Sequence, residues 1–200
     1  STPIKSSAAS DVYKRQPTYC GLLKNILKLK LHNVRLGNHV RIKGQFGIKN
    51  RGGVFVIGDH FVCTSGSMDN PMGRNIRSFF CVKQGACLTI GNNVGISSSV
   101  LRCARKITIG NQVTIGANTI ITDTDAHSLN PAQRAGHTNL GAVSRPVTIK
   151  DNVFIGTSCI ILKGVTIGEN SVIGAGSVVT RNIPDNEIWA GNPAKFIRRL

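Results

Sequence analysis

Three residues spaced two apart, Asp123, Asp125 and His127, carry side chains suited to moving a proton. If the chain is extended there, alternate side chains share a face, and a carboxylate can orient or polarise the imidazole. A histidine that is neutral near pH 7 can then take a proton from an alcohol. Spacing alone is equally compatible with a solvated polar loop in which the histidine is incidental. The segment between Ile121 and Val147 is polar, carries Pro131 and separates two regular stretches. A regular scaffold interrupted by one long polar loop is where chemistry is often placed.

The scaffold is legible as a period. From Val147 to Thr180 the sequence divides into sixes, with Ile149, Ile155, Ile161, Ile167, Ile173 and Val179 always third. A fixed short period marks a repeat architecture and takes precedence over any local helix or strand assignment. In an extended side, the first and third residues of each six point inward and the second points outward. The outward column is then Thr148, Phe154, Ile160, Thr166, Val172 and Val178. The sixth position holds Asn152, Ser158, Gly164, Asn170 and Gly176, mostly residues that adopt a left-handed backbone cheaply. Each six is thus a short strand and a sharp corner. Three sides close a triangular coil and stack each residue on the one eighteen further along, Ile149 on Ile167 and Ile155 on Ile173. Adjacent coils then lie at the inter-strand spacing of about 4.8 Å.

Earlier in the chain the period starts at Leu36 and keeps step at Ile42 and Ile48, Gly52 and Gly53 widen one corner, and it resumes at Ile57 and Cys63. It is lost between residues 64 and 80, returns at Leu88, slips by one residue near Arg102 to Lys106, and holds to Ile121. Asn93, Ser99 and Asn118 take last-corner positions. The organisation expected is therefore an unstructured tail over 1–17, a basic amphipathic helix over 18–35, a solenoid over 36–182 with a loop at 122–146, and a terminal cap, partly helical, over 183–200. In the amphipathic stretch Leu22, Leu23, Ile26, Leu27 and Leu29 alternate with Lys24, Lys28 and Lys30. It reads as a cap on the open end of the solenoid, with a membrane-surface helix as the sharper alternative.

Composition narrows the partners. With 40% hydrophobic residues, 5% aromatic and 22 glycines, the chain suits one domain with a narrow aliphatic interior. No apolar run reaches the length of a membrane span and no secretory leader is recognisable, so a cytoplasmic protein is expected, with peripheral contact at the inner membrane face as a finer expectation. A net charge of +16 favours an anionic partner. The basic residues look scattered and no standard nucleic-acid motif occurs, so nucleic acid is not expected. Six cysteines form no C-x-x-C pair, and Cys159 falls on the inward column, as buried reduced thiols would.

The hexapeptide period resembles that of the left-handed parallel β-helix acyltransferases, and the all-β fold class and handedness follow from that resemblance. Asp-x-Asp-x-His, then Pro131 and Arg134, then the restart at Val147, is similar to sugar O-acetyltransferases of the galactoside, maltose, capsule and lipopolysaccharide type. The ending IGAGSVVTRNIPDN…GNPAKFIRR resembles their close. The resemblance implies acetyl-CoA as donor, no metal, a sugar, nucleotide-sugar or lipid-linked sugar acceptor, and active sites between the subunits of a homotrimer. It gives His127 the role of general base with Asp125 and Asp123 beside it. Gly156, Gly174, Ala175, Gly176, Thr180, Arg181 and Lys195 would contact CoA, and Arg134 and Asn93 the acceptor. Phe154, outward and apolar, reads as a contact with another subunit, with a wall of the acyl pocket as the alternative. Two other readings stand beside it. A non-catalytic binding scaffold is one. A zinc enzyme of the γ-carbonic anhydrase type is the other, disfavoured because only His127 and His137 are close in sequence, with His32, His39 and His60 several coils away.

Overall fold

The structure, a computed structural model, describes residues 21–66, 71–135 and 140–200. The tail expected over 1–17, Cys20 and His137 lie outside the described residues.

The period becomes a three-sided parallel coil. Eighteen strands from Val34–Leu36 to Val178–Val179 visit three sheets in strict rotation, so each sheet is one side and each third strand returns to it. The first side runs from Val34–Leu36 to Thr166–Ile167, the second from Arg41–Gly44 to Val172–Ile173, and the third from Gly47–Asn50 to Val178–Val179. Ile149 pairs with Ile167 and Ile155 with Ile173, the register the eighteen-residue spacing requires. The inward isoleucines and valines form one continuous core, with Phe46, Phe55, Phe61 and Phe80 filling the first coils.

Corners are held by backbone conformation and by side chains. Asn152, Ser158, Asn170, Gly164 and Gly176 all have positive φ. At the corner between the first and second sides, an Asx oxygen of one coil accepts the backbone N–H of the coil before it. Asp59 accepts from Asn38, Asn92 from Asp59, Asn111 from Asn92 and Asp151 from Asn111, at 2.6–2.9 Å. These bonds satisfy donors that a sharp turn would otherwise leave unpaired. They also hold the Asp151 carboxyl below the ordinary carboxylate range, through the Asn111 backbone N–H first and its side chain second.

Residues 21–31 are helical and cap the first coil. Leu29 is fully buried, Asn25 donates to the carbonyls of Ile42 and Gly44, and Lys28 donates to that of Phe46. Three boundaries differ from expectation. The helix stops before Asn33, whose φ is positive, and Val34 already belongs to the first strand. The positive-φ corner residue at the third coil is Ser98, because Ser99 turns inward and is buried. The terminal cap is an antiparallel pair, Glu187–Ala190 with Lys195–Arg199, and contains no helix. No helix among the described residues is long and apolar enough to cross a membrane.

Candidate active site on an anchored arm

The strand that ends at Thr122 does not continue, so Asp123, Asp125 and His127 do not share a face. Asp123 turns into the coil and is fully buried. Its carboxylate accepts the backbone N–H groups of Ala104, Arg105 and Lys106, each at 2.7 Å. The one-residue slip in the period falls on these residues. A carboxylate with three N–H donors is a strong, charge-assisted anchor, and Asp123 is structural rather than a neighbour of the imidazole. Burial, and then the charge of Asp123, push the nearby Cys103 thiol up to about 12.

Beyond the anchor the chain forms a short arm. Asp125 N–H donates to Val143 O, Arg145 N–H donates to Asp123 O, and Thr124 bridges Ser144 in antiparallel fashion. Ala126, at φ 68°, reverses the chain. His127 follows and is exposed, while Ser128 is buried beneath it and donates to Gln133 Oε1 at 2.6 Å. The helix Pro131–Ala135 closes the tip. Arg134 Nη1 donates to the carbonyls of Ser128 and Leu129, so the side chain expected to meet acceptor is tied to the arm itself. Asp125 pairs with Lys163 Nζ at 2.5 Å instead of with His127, and among the described residues no hydrogen bond joins His127 to either carboxylate. The arrangement presents an imidazole at the edge of a rigid coil, held by backbone bonds on both limbs of the arm.

The remaining expected site residues divide between corners. Thr180 and Arg181 are exposed at the corner from which the arm springs. Gly156, Gly174, Ala175 and Gly176 lie at the opposite edge of the third side. Gly156 and Gly174 have structural duties there: their N–H groups bond to Ile173 O and Trp189 O, and a side chain at Gly156 would stand 2.6 Å from Ala175 N. Ala175 and Gly176 face solvent, as does Lys195 at the start of the last strand. Asn93 is exposed at the corner between the first and second sides, away from the arm. Next to the glycine corner, the segment from Pro71 to Ile76 folds over Asn118, Thr157 and Ser158 and encloses a cavity of about 240 Å³ with Met72 and Arg74 in its wall.

Two residues of this region escape sequence reasoning. Lys163 reads as an ordinary solvated corner cation, and only the path of the arm brings Asp125 to it. Arg145 ends the arm with its side chain across Gly164, the Cβ that Gly164 lacks lying 3.3 Å from it. Among the described residues no group of three His, Cys, Asp or Glu side chains is placed to hold a metal ion.

Residues 146–181 match the family described as bacterial transferase hexapeptide (six repeats). Over those residues the chain is similar to hexapeptide-repeat transferases. It is 44% identical over 94 residues to the galactoside O-acetyltransferase of Escherichia coli, covering 47% of this chain and 44% of the relative. A maltose O-acetyltransferase from Clostridium difficile superposes with a TM-score of 0.50 at 27% identity, covering 84% of this chain and 66% of that one. A mitochondrial γ-carbonic anhydrase of Arabidopsis thaliana is 31% identical over 152 residues, 71% of this chain and 49% of the relative. The chain spans about half the length of most of the curated relatives it matches. The hexapeptide-repeat family motif covers the last coils, and the arm that carries His127 enters just before it.

Proposed function

We propose that this chain transfers an acetyl group from acetyl-CoA to a hydroxyl of a sugar or sugar-containing precursor, with His127 as general base. The observation that carries the reading is the anchored arm, which holds an exposed imidazole at the rim of a hexapeptide coil. Similarity to galactoside and maltose O-acetyltransferases supports the donor and the acceptor class of this reading. The imidazole takes the hydroxyl proton as the oxygen attacks the thioester carbonyl. The C–O bond forms, the C–S bond breaks, and the proton passes from the imidazolium to the leaving thiolate. No covalent enzyme intermediate is needed.

In this reading the coil is left-handed, as the repeat resemblance implies, and the chain works as a homotrimer. Two observations support the trimer. The arm and the solvent-facing Ala175 and Gly176 lie at opposite edges of the third side, so a second copy is needed to bring one to the other. That side also carries an outward apolar row, Phe79, Val100, Ile120, Ile160 and Val178, in register over successive coils. A contiguous apolar stripe on a soluble scaffold marks a surface to be covered. Ala175, Gly176, Thr180, Arg181 and Lys195 are the CoA contacts. The test is thiol release from acetyl-CoA against a panel of sugars and nucleotide sugars. Acceptor-dependent release supports the reading, and failure to bind CoA at all would return the chain to the scaffold alternative.

A further inference from the structure

The capped end of the coil has a surface chemistry that acetyl transfer does not use. Eight Lys and Arg residues fall between positions 21 and 58, and no Asp or Glu occurs in that stretch. The positive charge is therefore not evenly scattered: an all-cationic cap and first coil sit at one end. Arg35 on the first side, Arg41 and Lys43 on the second and Lys49 on the third are exposed, so every face of the triangle contributes a cation to the rim.

Across this end lies the helix over 21–31. Its buried face is spent on the coil through Leu29 and Asn25. Its outer face carries Leu23, Leu27 and Leu31, which are 71%, 58% and 73% exposed, with Lys24 and Lys30 exposed between them. Residues four apart on a helix lie one above the other, so the three leucines form a single ridge. Beside the ridge a cavity of about 270 Å³ has an apolar floor of Ile26, Leu36 and Val40 with Lys30 in its wall.

We propose that this end docks on an anionic phospholipid bilayer, with the helix lying in the interface, the leucine ridge inserted and the cationic rim on the headgroups. A helix that crosses the end of the coil can lie parallel to a membrane plane, the orientation of interfacial amphipathic helices. Lysines flanking the ridge keep their ammonium groups at the headgroups while their stems lie along the apolar boundary. The pairing of ridge and rim decides between occupants. A nucleic acid would satisfy the cations and leave three leucines in water. A second copy docked end to end would face one cationic rim with another, which like-charge repulsion opposes. An anionic bilayer satisfies both. Docking would bring the coil beside lipid-linked acceptors, which extends the acetyl-transfer reading without depending on it.

The experiment is co-sedimentation of the full chain with phosphatidylcholine vesicles with and without a quarter phosphatidylglycerol, at about 0.1 M salt. Binding is expected to the anionic vesicles only, and to weaken with added salt, because surface cations are screened over about 10 Å at that ionic strength. Leu27→Glu is expected to weaken binding at least about tenfold, since it removes apolar insertion and adds a repelled charge. Its circular dichroism and sedimentation should match the parent, as should any turnover of a water-soluble acceptor. Absence of binding to the anionic vesicles overturns the proposal, and so does binding that Leu27→Glu leaves unchanged. A Leu27→Glu chain that sediments as a smaller species would also overturn it and assign the ridge to another copy of the chain.

Discussion

Lys163 Nζ meets Asp125 Oδ1 at 2.5 Å, and the second oxygen of that carboxylate is buried and has no hydrogen-bond partner among the described residues. The pair joins a corner of the coil to the arm two residues before His127. An unpartnered buried oxygen makes the carboxylate depend on its one cation, because a half-satisfied buried charge is costly. In the proposed mechanism Lys163 is therefore a positioning residue for the imidazole, although nothing in its corner of the sequence distinguishes it.

Lys163→Met is expected to lower turnover about 10–100-fold, the order of loss that a displaced catalytic group produces. The Michaelis constant for acetyl-CoA should change little, and Lys163→Arg should recover most of the rate. Limited proteolysis gives a readout independent of activity: the arm should be cut faster in the methionine variant and at the parental rate in the arginine variant. Equal proteolysis of all three would remove the positioning role.

Asp123→Ala should act on stability instead. It leaves the N–H groups of Ala104, Arg105 and Lys106 without their acceptor. At about 1–3 kcal/mol for a stranded buried donor, a total loss of about 3–5 kcal/mol is expected in urea unfolding. A change under about 1 kcal/mol would mean that water replaces the carboxylate at this corner.

The pH limits of the fold follow from the shifted groups. Asp185 is held below the ordinary carboxylate range by Lys150 and by the N–H of Glu169, and Asp151 by Asn111. A depressed carboxyl contributes stability above its unfolded value of about 3.9, lost as pH falls through the lower folded value. The thiols act in the opposite direction. Burial pushes Cys63 and Cys103 up to about 12 and raises Cys159. A raised thiol leaves stability intact below the unfolded value of about 8.5 and erodes it as pH climbs from there towards the folded value. Thermal midpoints should thus hold between about pH 5 and 8 and fall on both sides, with the alkaline fall reduced in Cys63→Ala relative to its own midpoint at pH 7. At pH 8, iodoacetamide should reach Cys81 and Cys87, which are partly exposed, before the three buried thiols.

A charge in the apolar row tests the assembly. Ile120 pairs with Val100 on one neighbour and Ile160 on the other, and its side chain is exposed. Ile120→Lys should fold normally and sediment as a monomer at micromolar concentration where the parent sediments as a trimer. A parental trimer retained in the variant would place the interface elsewhere.

The coil was legible because its physics is periodic: the register of Ile149 on Ile167 and the positive φ at Asn152 and Asn170 follow from counting by six. The arm was legible only as a break. Extending the strand past Ile121 placed Asp123, Asp125 and His127 on one face, but the slip at Ala104 to Lys106 left donors that captured Asp123, and Ala126 then reversed the chain. Contacts such as Asp125 with Lys163 join residues 38 positions apart through an irregular path, and no local pattern encodes them. The cationic end was legible only in part: Lys24, Lys28 and Lys30 mark a basic amphipathic stretch, but Arg35, Arg41, Lys43 and Lys49 join them at one rim only when the coil closes.

The most direct test of the central claim is a single-turnover measurement of acetyl transfer by the parent and by His127→Ala, on an acceptor that the parent turns over, with acetyl-CoA binding followed in the same samples. The account predicts a loss of about 10²–10⁴-fold in the transfer step, the range for removal of a general base, with acetyl-CoA affinity and the thermal midpoint unchanged. Transfer within about threefold of the parent would contradict it, and the proton would then have to leave through another group.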